Sequence, residues 1–145
     1  MRALVQRVTK ASVTVDDTVV GQIDHGMLAL IGVEADDDAA RADKLLHKLL
    51  HYRMFADDDG RMNCNLQQVE GGLLLVSQFT LVASTAKGLR PSFSSAAPPA
   101  HGRALFEHLV DAAGRAWPHM ATGRFGADMQ VALVNDGPVT FMLET

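Results

Sequence analysis

Gly137 and Pro138 stand between two runs that read as β-strands, Met129 to Val134 and Thr140 to Thr145. Proline has no N–H to give a β ladder, so Gly-Pro inside an apolar, strand-forming stretch interrupts it. Any fold for this chain must bring its C-terminal stretch into a sheet and still accommodate that break. On the composition of "NDGPVT" (Asn135 to Thr140) alone, a tight turn joining two strands is the ordinary outcome. An X-Pro bond also has access to the cis form at about 0.5 to 1 kcal/mol, and glycine admits backbone angles that other residues resist. Together they can turn the chain sharply and point carbonyls outward.

The rest of the pattern supplies the sheet. Alternation in "RALVQRV", "ASVTV" and "TVVGQI" predicts short strands, with Asp16-Asp17 as the turn between the last two. "GMLALIGV" (Gly26 to Val33) is continuously apolar between glycines, as suits a strand buried on both faces. After the acidic cluster Asp36 to Asp38 the period changes: Ala42, Leu45, Leu46, Leu49 and Tyr52 form one helical stripe, with carboxylates at its positive end. "GGLLLVSQFTLVAS" (Gly71 to Ser84) reads as a further strand block, and a Pro/Ser/Gly-rich loop follows it. Pro99 can open a second helix striped by Leu105, Phe106, Leu109, Val110 and Ala113 that ends before Trp117-Pro118. Strands outnumber helices, which predicts a mixed α/β fold with two helices covering one side of the sheet system.

At 145 residues and 48% hydrophobic, the chain is expected to form one domain around one core of ordinary size. No stretch approaches the ~18 consecutive apolar residues of a membrane span, and the charged opening (Arg2, Arg7, Lys10) does not read as a signal peptide. The expectation is a cytoplasmic protein without membrane contact. A formal charge of −4 argues against broad nucleic-acid binding by phosphate neutralisation while leaving room for a local basic rim. Cys64 is alone and has no basic neighbour in "RMNCNLQ", so it reads as a structural thiol.

Several constellations can be weighed directly. His47 and His51 have zinc-ligand spacing, but Lys48 occupies the place of a metalloprotease glutamate and no third ligand is evident. "DDDGRMN" fails as a calcium loop, because placing Gly60 at the sixth position puts Phe55 at the first. Neither metal nor cofactor is expected. "KGLRPSF" gathers Lys87 and Arg90, which could meet phosphates, with Phe93, which could pack or stack. In "VSQFTL", strand alternation would set Ser77, Phe79 and Leu81 on one face and Gln78 and Thr80 on the other. Those polar groups must find partners or cost roughly 1 to 3 kcal/mol each. Either Ser77 or Thr80 could serve as a nucleophile, yet no histidine lies near them in sequence, so side-chain nucleophilic catalysis does not follow.

Taken in order, "MRALVQRVTKASVTV", "GMLALIGV", "GRMN", "LLLVSQFTL", "KGLRPSF", "AAPP", "TGRFGADMQVAL" and "NDGPVT" resemble the D-aminoacyl-tRNA deacylases over nearly the whole chain. "SQFTL" and the Gly-Pro of "NDGPVT" are the most specific of these, and His101 to Met120 is the least family-like region. The resemblance implies a fold of two β layers with two helices. It implies hydrolysis of the ester between a D-amino acid and the 3′-terminal adenosine of tRNA, and removal of glycine misattached to alanine tRNA. It also implies a homodimer with active sites at the subunit interface, where a cis Gly137-Pro138 peptide from one subunit enters the pocket of the other.

By the same resemblance, Ser77, Gln78, Phe79 and Thr80 form the catalytic segment, with Gln78 ordering the pocket. Gly137 and Pro138 reject L-aminoacyl groups by filling the space an L side chain needs, while glycine passes. Arg7 supports the Gly-Pro carbonyls, and Phe125 and Met129 line the adenosine pocket. Two mechanisms stand open, one with Thr80 as nucleophile and one with the tRNA 2′-hydroxyl assisting water while N–H groups near Phe79 and Thr80 hold the oxyanion. The second accounts for the missing base. Other readings of the scaffold are a non-catalytic RNA-end binder and a sister editing enzyme of relaxed chirality that removes L-alanine.

Overall fold

The computed structural model describes residues 1–145, in the order β1 (Arg2–Val15), β2 (Thr18–Ile23), β3 (Gly26–Gly32), α1 (Ala39–His51), β4 (Phe55–Ala56), β5 (Met62–Cys64), β6 (Gly72–Ser77), a 3-10 turn (Phe79–Val82), α2 (Pro99–Ala116), β7 (Met120–Thr122) and β8 (Gln130–Glu144). One six-stranded sheet runs β2-β1-β3-β6-β7, with β8 also on β1; β4 and β5 form a separate hairpin. β1 is antiparallel to β2, β3 and β8, whereas β3-β6 and β6-β7 are parallel. The two parallel connections pass through α1 and α2, as parallel pairs require a crossover.

The expected mixed α/β class holds, with both helices on one side. The two β layers are two sides of a single curled sheet. Its ends nearly meet, since a Cβ on Gly21 of β2 would stand 2.5 Å from the carbonyl oxygen of Thr122 in β7. Curling gives the sheet an inside and an outside, and both are dry. Met27, Ala29 and Ile31 of β3 and Leu73 and Leu75 of β6 pack outward against the buried helix residues Leu45, Leu49, Leu105, Phe106 and Leu109. The alternate residues Leu28, Leu74 and Val76 pack inward with Val8, Val13 and Ile23. That is why "GMLALIG" and "GLLLV" carry no polar alternation.

α1 begins on a side-chain cap, whereas α2 opens after Pro98 with no capping side chain. Asp38 Oδ1 accepts from the Arg41 N–H at 2.8 Å, and Pro99 takes the first position of α2. The neighbouring Asp37 carboxylate is buried and fully engaged by Arg41 Nη1 at 3.1 Å, the Glu34 N–H at 2.7 Å and the Met1 amino group at 2.5 Å. Its hydrogen bond, aided by the charge of Asp36, raises the pKa of Arg41 above the usual guanidinium value. The Asp37 carbonyl oxygen also meets His101 Nε2 at 2.8 Å, which ties the start of α2 to the start of α1.

Three elements differ from the sequence reading. The opening segment is one long strand rather than two. The block beginning "LLLVS" leaves the sheet after Ser77, so Phe79–Val82 form a 3-10 turn with Gln78 before it, and the strand alternation assigned to Phe79, Thr80 and Leu81 does not apply. "NDGPVT" is not a turn between strands. β8 runs through it and pairs with β1 on both sides, skipping register between Gln6 and Val8 and again between Val8 and Lys10.

Candidate active site

What lets β8 continue through Gly137-Pro138 is a set of side-chain bonds that replace the missing ladder. Asn135 donates from its side-chain amide to the Arg7 carbonyl at 2.8 Å and to the Val139 carbonyl at 3.0 Å. Arg7 answers with Nε to the Asp136 carbonyl at 3.2 Å and to the Asp136 carboxylate at 3.2 Å, while its Nη1 donates to the Met54 carbonyl at 3.0 Å. Arg7 therefore holds the residue preceding Gly137, and its bond goes to that carbonyl rather than to those of Gly137 and Pro138. The Gly137-Pro138 peptide is cis. Gly137 has φ +124°, and a Cβ there would lie 2.7 Å from Val139 Cγ2 and 2.9 Å from Arg7 Nη2. Only glycine fits this position without displacement. Pro138 and Gly137 are themselves exposed.

At the far end of the sheet, a cavity of about 270 Å³ lies between β3, β6 and α2. Ser77 and Phe79 from the β6 end, Ile31 and Val33 from the β3 end, and the rings of Phe106 and Phe125 line it. Small residues at Ala97 and Gly102 keep it open, and Gly126 (φ +75°) turns the chain at its rim. Phe125 is braced by Phe106 at a ring separation of 6.0 Å and covered by the Arg103 guanidinium at 4.8 Å. Phe79 is 63% exposed at the mouth, 5.2 Å from the Phe93 ring.

The polar groups here carry no catalytic pair. The Gln78 side-chain amide donates to the Thr80 hydroxyl. None of the six histidines bonds to Ser77 or Thr80: His51 meets the His47 carbonyl, His101 that of Asp37, and His108 the Asp43 carboxylate. His47 and His51 stack on each other at 4.3 Å. The first N–H groups of a helical turn lack partners within it, and those of Phe79 and Thr80 stand at the start of the 3-10 turn, where Phe79 lines the cavity.

The structure thus brings Ser77, Phe79 and Phe125 to one cavity, with Gln78 and Thr80 beside them in the chain but not lining it, and Arg7, Gly137 and Pro138 to another place. Met129 does not line the cavity. Its sulfur packs where a Gly123 side chain would otherwise be, against the inner core. Lys87 and Arg90 lie on an exposed loop closed by the Ser84–Ser92 pairing, next to Phe93. Within one chain the two groups are apart. Arg7 pairs with Met27 of β3, and Ile31, the partner of Ser77, is four residues further on, ~13 Å at 3.3 Å per residue. Sequence reasoning missed Asn135 as the bridge and Arg103 as the cover of Phe125. An Asx side chain immediately before a β break was the available signal for the first.

Comparison with known proteins gives these features a context. A family model described as D-Tyr-tRNA(Tyr) deacylase matches residues 4–144. Proteins named D-aminoacyl-tRNA deacylase from Pseudomonas aeruginosa and Chromohalobacter salexigens are 66% and 63% identical to the chain over 145 residues, covering 100% of both partners in each case. Among solved structures, one named c-Myc DNA Unwinding Element Binding Protein superposes with a TM-score of 0.95 at 34% identity, covering 100% of this chain and 99% of its own. A probable eukaryotic D-amino acid tRNA deacylase shares the fold at a TM-score of 0.86 and 18% identity, covering 99% of this chain and 98% of its own. With a family match across almost its whole length and full-length relatives at this identity, the chain belongs to the D-aminoacyl-tRNA deacylase family.

Proposed function

We propose that this chain hydrolyses the ester joining a D-amino acid to the 3′-terminal adenosine of tRNA, in the cytoplasm where tRNA is charged, and that it also clears glycine from alanine tRNA. Water adds to the ester carbonyl, the 3′-oxygen leaves, and free tRNA and amino acid are the products. The N–H groups of Phe79 and Thr80 receive the negative charge that develops on the carbonyl oxygen. The tRNA 2′-hydroxyl assists the water, which makes the reaction selective for RNA ends. An aminoacyl ester is intrinsically reactive, so positioning and oxyanion stabilisation suffice. Thr80 is not the nucleophile in this reading, because its hydroxyl accepts from Gln78 and has no base beside it.

The observation that carries the proposal is the stiffened Gly137-Pro138 segment, exposed yet tied down by Asn135 and Arg7. Its separation from the Ser77–Phe125 cavity within one chain supports a homodimer in which the segment of one subunit enters the cavity of the other. There the Gly137 and Pro138 carbonyls occupy the volume an L side chain would need. Phe125 lies against the terminal adenosine, and Lys87 and Arg90 on the rim attract the RNA backbone.

A second reading draws on the neighbour named for DNA binding: a nucleic-acid-end binder without hydrolysis. Incubation with D-tyrosyl-tRNA separates the two. The proposal expects release of D-tyrosine at catalytic enzyme concentration, whereas binding without release leaves only the second reading. A third, an editing enzyme that removes L-alanine, expects release from L-alanyl-tRNA, which the proposal does not.

A further inference from the structure

The aromatic wall of the cavity has two faces, and the second face borders a groove. Phe106 and Phe125 line both the cavity and an adjoining cleft of about 260 Å³, whose other walls are Arg103, Glu107, Asp111 and Arg124. Arg103 lies over the Phe125 ring and pairs with Glu107 at 3.5 Å. Arg124 pairs with no carboxylate and Asp111 with no cationic side chain, although both are exposed at the cleft. A cleft with one flat guanidinium, one unpaired cation and one unpaired carboxylate has the chemistry for a nucleotide. Guanidinium planes stack on bases, unpaired arginines meet phosphates, and a carboxylate accepts from the exocyclic amine of a base such as cytosine.

We infer that this cleft binds the nucleotide preceding the terminal adenosine, as an amino-bearing base such as the cytidine at that position of a tRNA end. The inference rests on the proposal that the terminal adenosine occupies the cavity on the other face of Phe125. Consecutive bases on either side of one aromatic wall need no long excursion of the backbone between them. Arg124 takes the bridging phosphate, Arg103 stacks on the base, and Asp111 accepts from its amine. The exposed Lys87–Arg90 loop offers charge on the Phe79 side and lines neither the cavity nor the cleft, so it attracts the strand without reading a base.

The test compares kcat/KM on full D-tyrosyl-tRNA with kcat/KM on the single-nucleoside ester 3′-O-D-tyrosyl-adenosine, for wild type, Arg124→Ala, Asp111→Asn and the double variant Lys87→Ala/Arg90→Ala. The preference of the wild type for tRNA over the nucleoside ester should fall about tenfold in Arg124→Ala and severalfold in Asp111→Asn. Substituting the penultimate cytidine by uridine should cost the wild type severalfold and cost Asp111→Asn nothing more. A preference that stays at the wild-type value in Arg124→Ala, or falls only in the Lys87/Arg90 variant, overturns the assignment. Failure of the underlying reading looks different, because the wild type would then cleave neither ester. Far-UV circular dichroism and thermal unfolding of each variant exclude loss of fold as the cause, since all four residues are exposed.

Discussion

Asn135 and Arg7 hold each other across the break in β8: the Asn135 amide donates to the Arg7 carbonyl at 2.8 Å, and the Arg7 side chain returns a bond to the Asp136 carbonyl at 3.2 Å. The second Asn135 hydrogen reaches the Val139 carbonyl at 3.0 Å, so one side chain closes the loop that Gly137 and Pro138 open. Asn135→Ala removes both bonds and leaves two partly buried carbonyls without donors, at about 1 to 3 kcal/mol each. Stability should fall by about 2 kcal/mol in urea titration. The sharper expectation is functional: discrimination between D- and L-tyrosyl-tRNA should fall at least tenfold, because the carbonyl wall loosens while the cavity is untouched.

Arg7→Lys keeps the charge and loses the fork. A single ammonium cannot serve the Asp136 and Met54 carbonyls in the two directions that the guanidinium covers. Deacylation of D-tyrosyl-tRNA should drop about tenfold, with the fold retained by circular dichroism.

Gly137→Ala places a Cβ 2.7 Å from Val139 Cγ2 and 2.9 Å from the Arg7 guanidinium, at φ +124°, where L residues are strained. A cost of about 2 kcal/mol in stability is expected, of the order of other overpacking substitutions. Hydrolysis of glycyl and D-tyrosyl esters should both fall steeply, and unchanged kinetics on both would remove Gly137 from the site.

Thr80→Ala should keep activity within about tenfold of wild type, the loss of one ordering hydrogen bond from Gln78. A loss of several thousandfold with an intact fold would make the hydroxyl the nucleophile.

Gly26→Ala tests the sheet itself. Its Cβ would stand 2.0 Å from the Gly72 carbonyl oxygen, backbone against backbone at the start of the parallel β3-β6 pair, where nothing can rotate away. Unfolding at least ~3 kcal/mol easier, or insoluble expression, is the expected result.

The parts of this structure visible in the sequence are those governed by local rules. α1 and α2 follow from leucine stripes, the acidic cluster Asp36 to Asp38 and Pro99; the turn at Asp16-Asp17 and the doubly buried β3 follow from composition and pattern. What was not visible depends on distant partners. Alternating apolar residues in "QFTL" satisfy a 3-10 turn as well as a strand, and only the end of β6 decides between them. β8 survives its Gly-Pro because Asn135 and a β1 arginine supply the missing bonds, a relation spanning 128 residues of sequence. Met129 was expected at the cavity and instead fills the space above Gly123, which no periodicity announces. Arg103 reaches Phe125 from α2, and that meeting follows from the packing of α2 on the cavity, not from any motif.

The central claim is that a fixed pair of main-chain carbonyls selects substrate by the space they deny. It is tested most directly by single-turnover rates of one enzyme preparation on D-tyrosyl-, glycyl- and L-tyrosyl-tRNA. The account predicts rapid release from the first two and, for the L ester, a rate at least a hundredfold lower, about 2.7 kcal/mol of discrimination. Equal rates on the two tyrosyl enantiomers, or a glycyl ester spared along with the L ester, would contradict it.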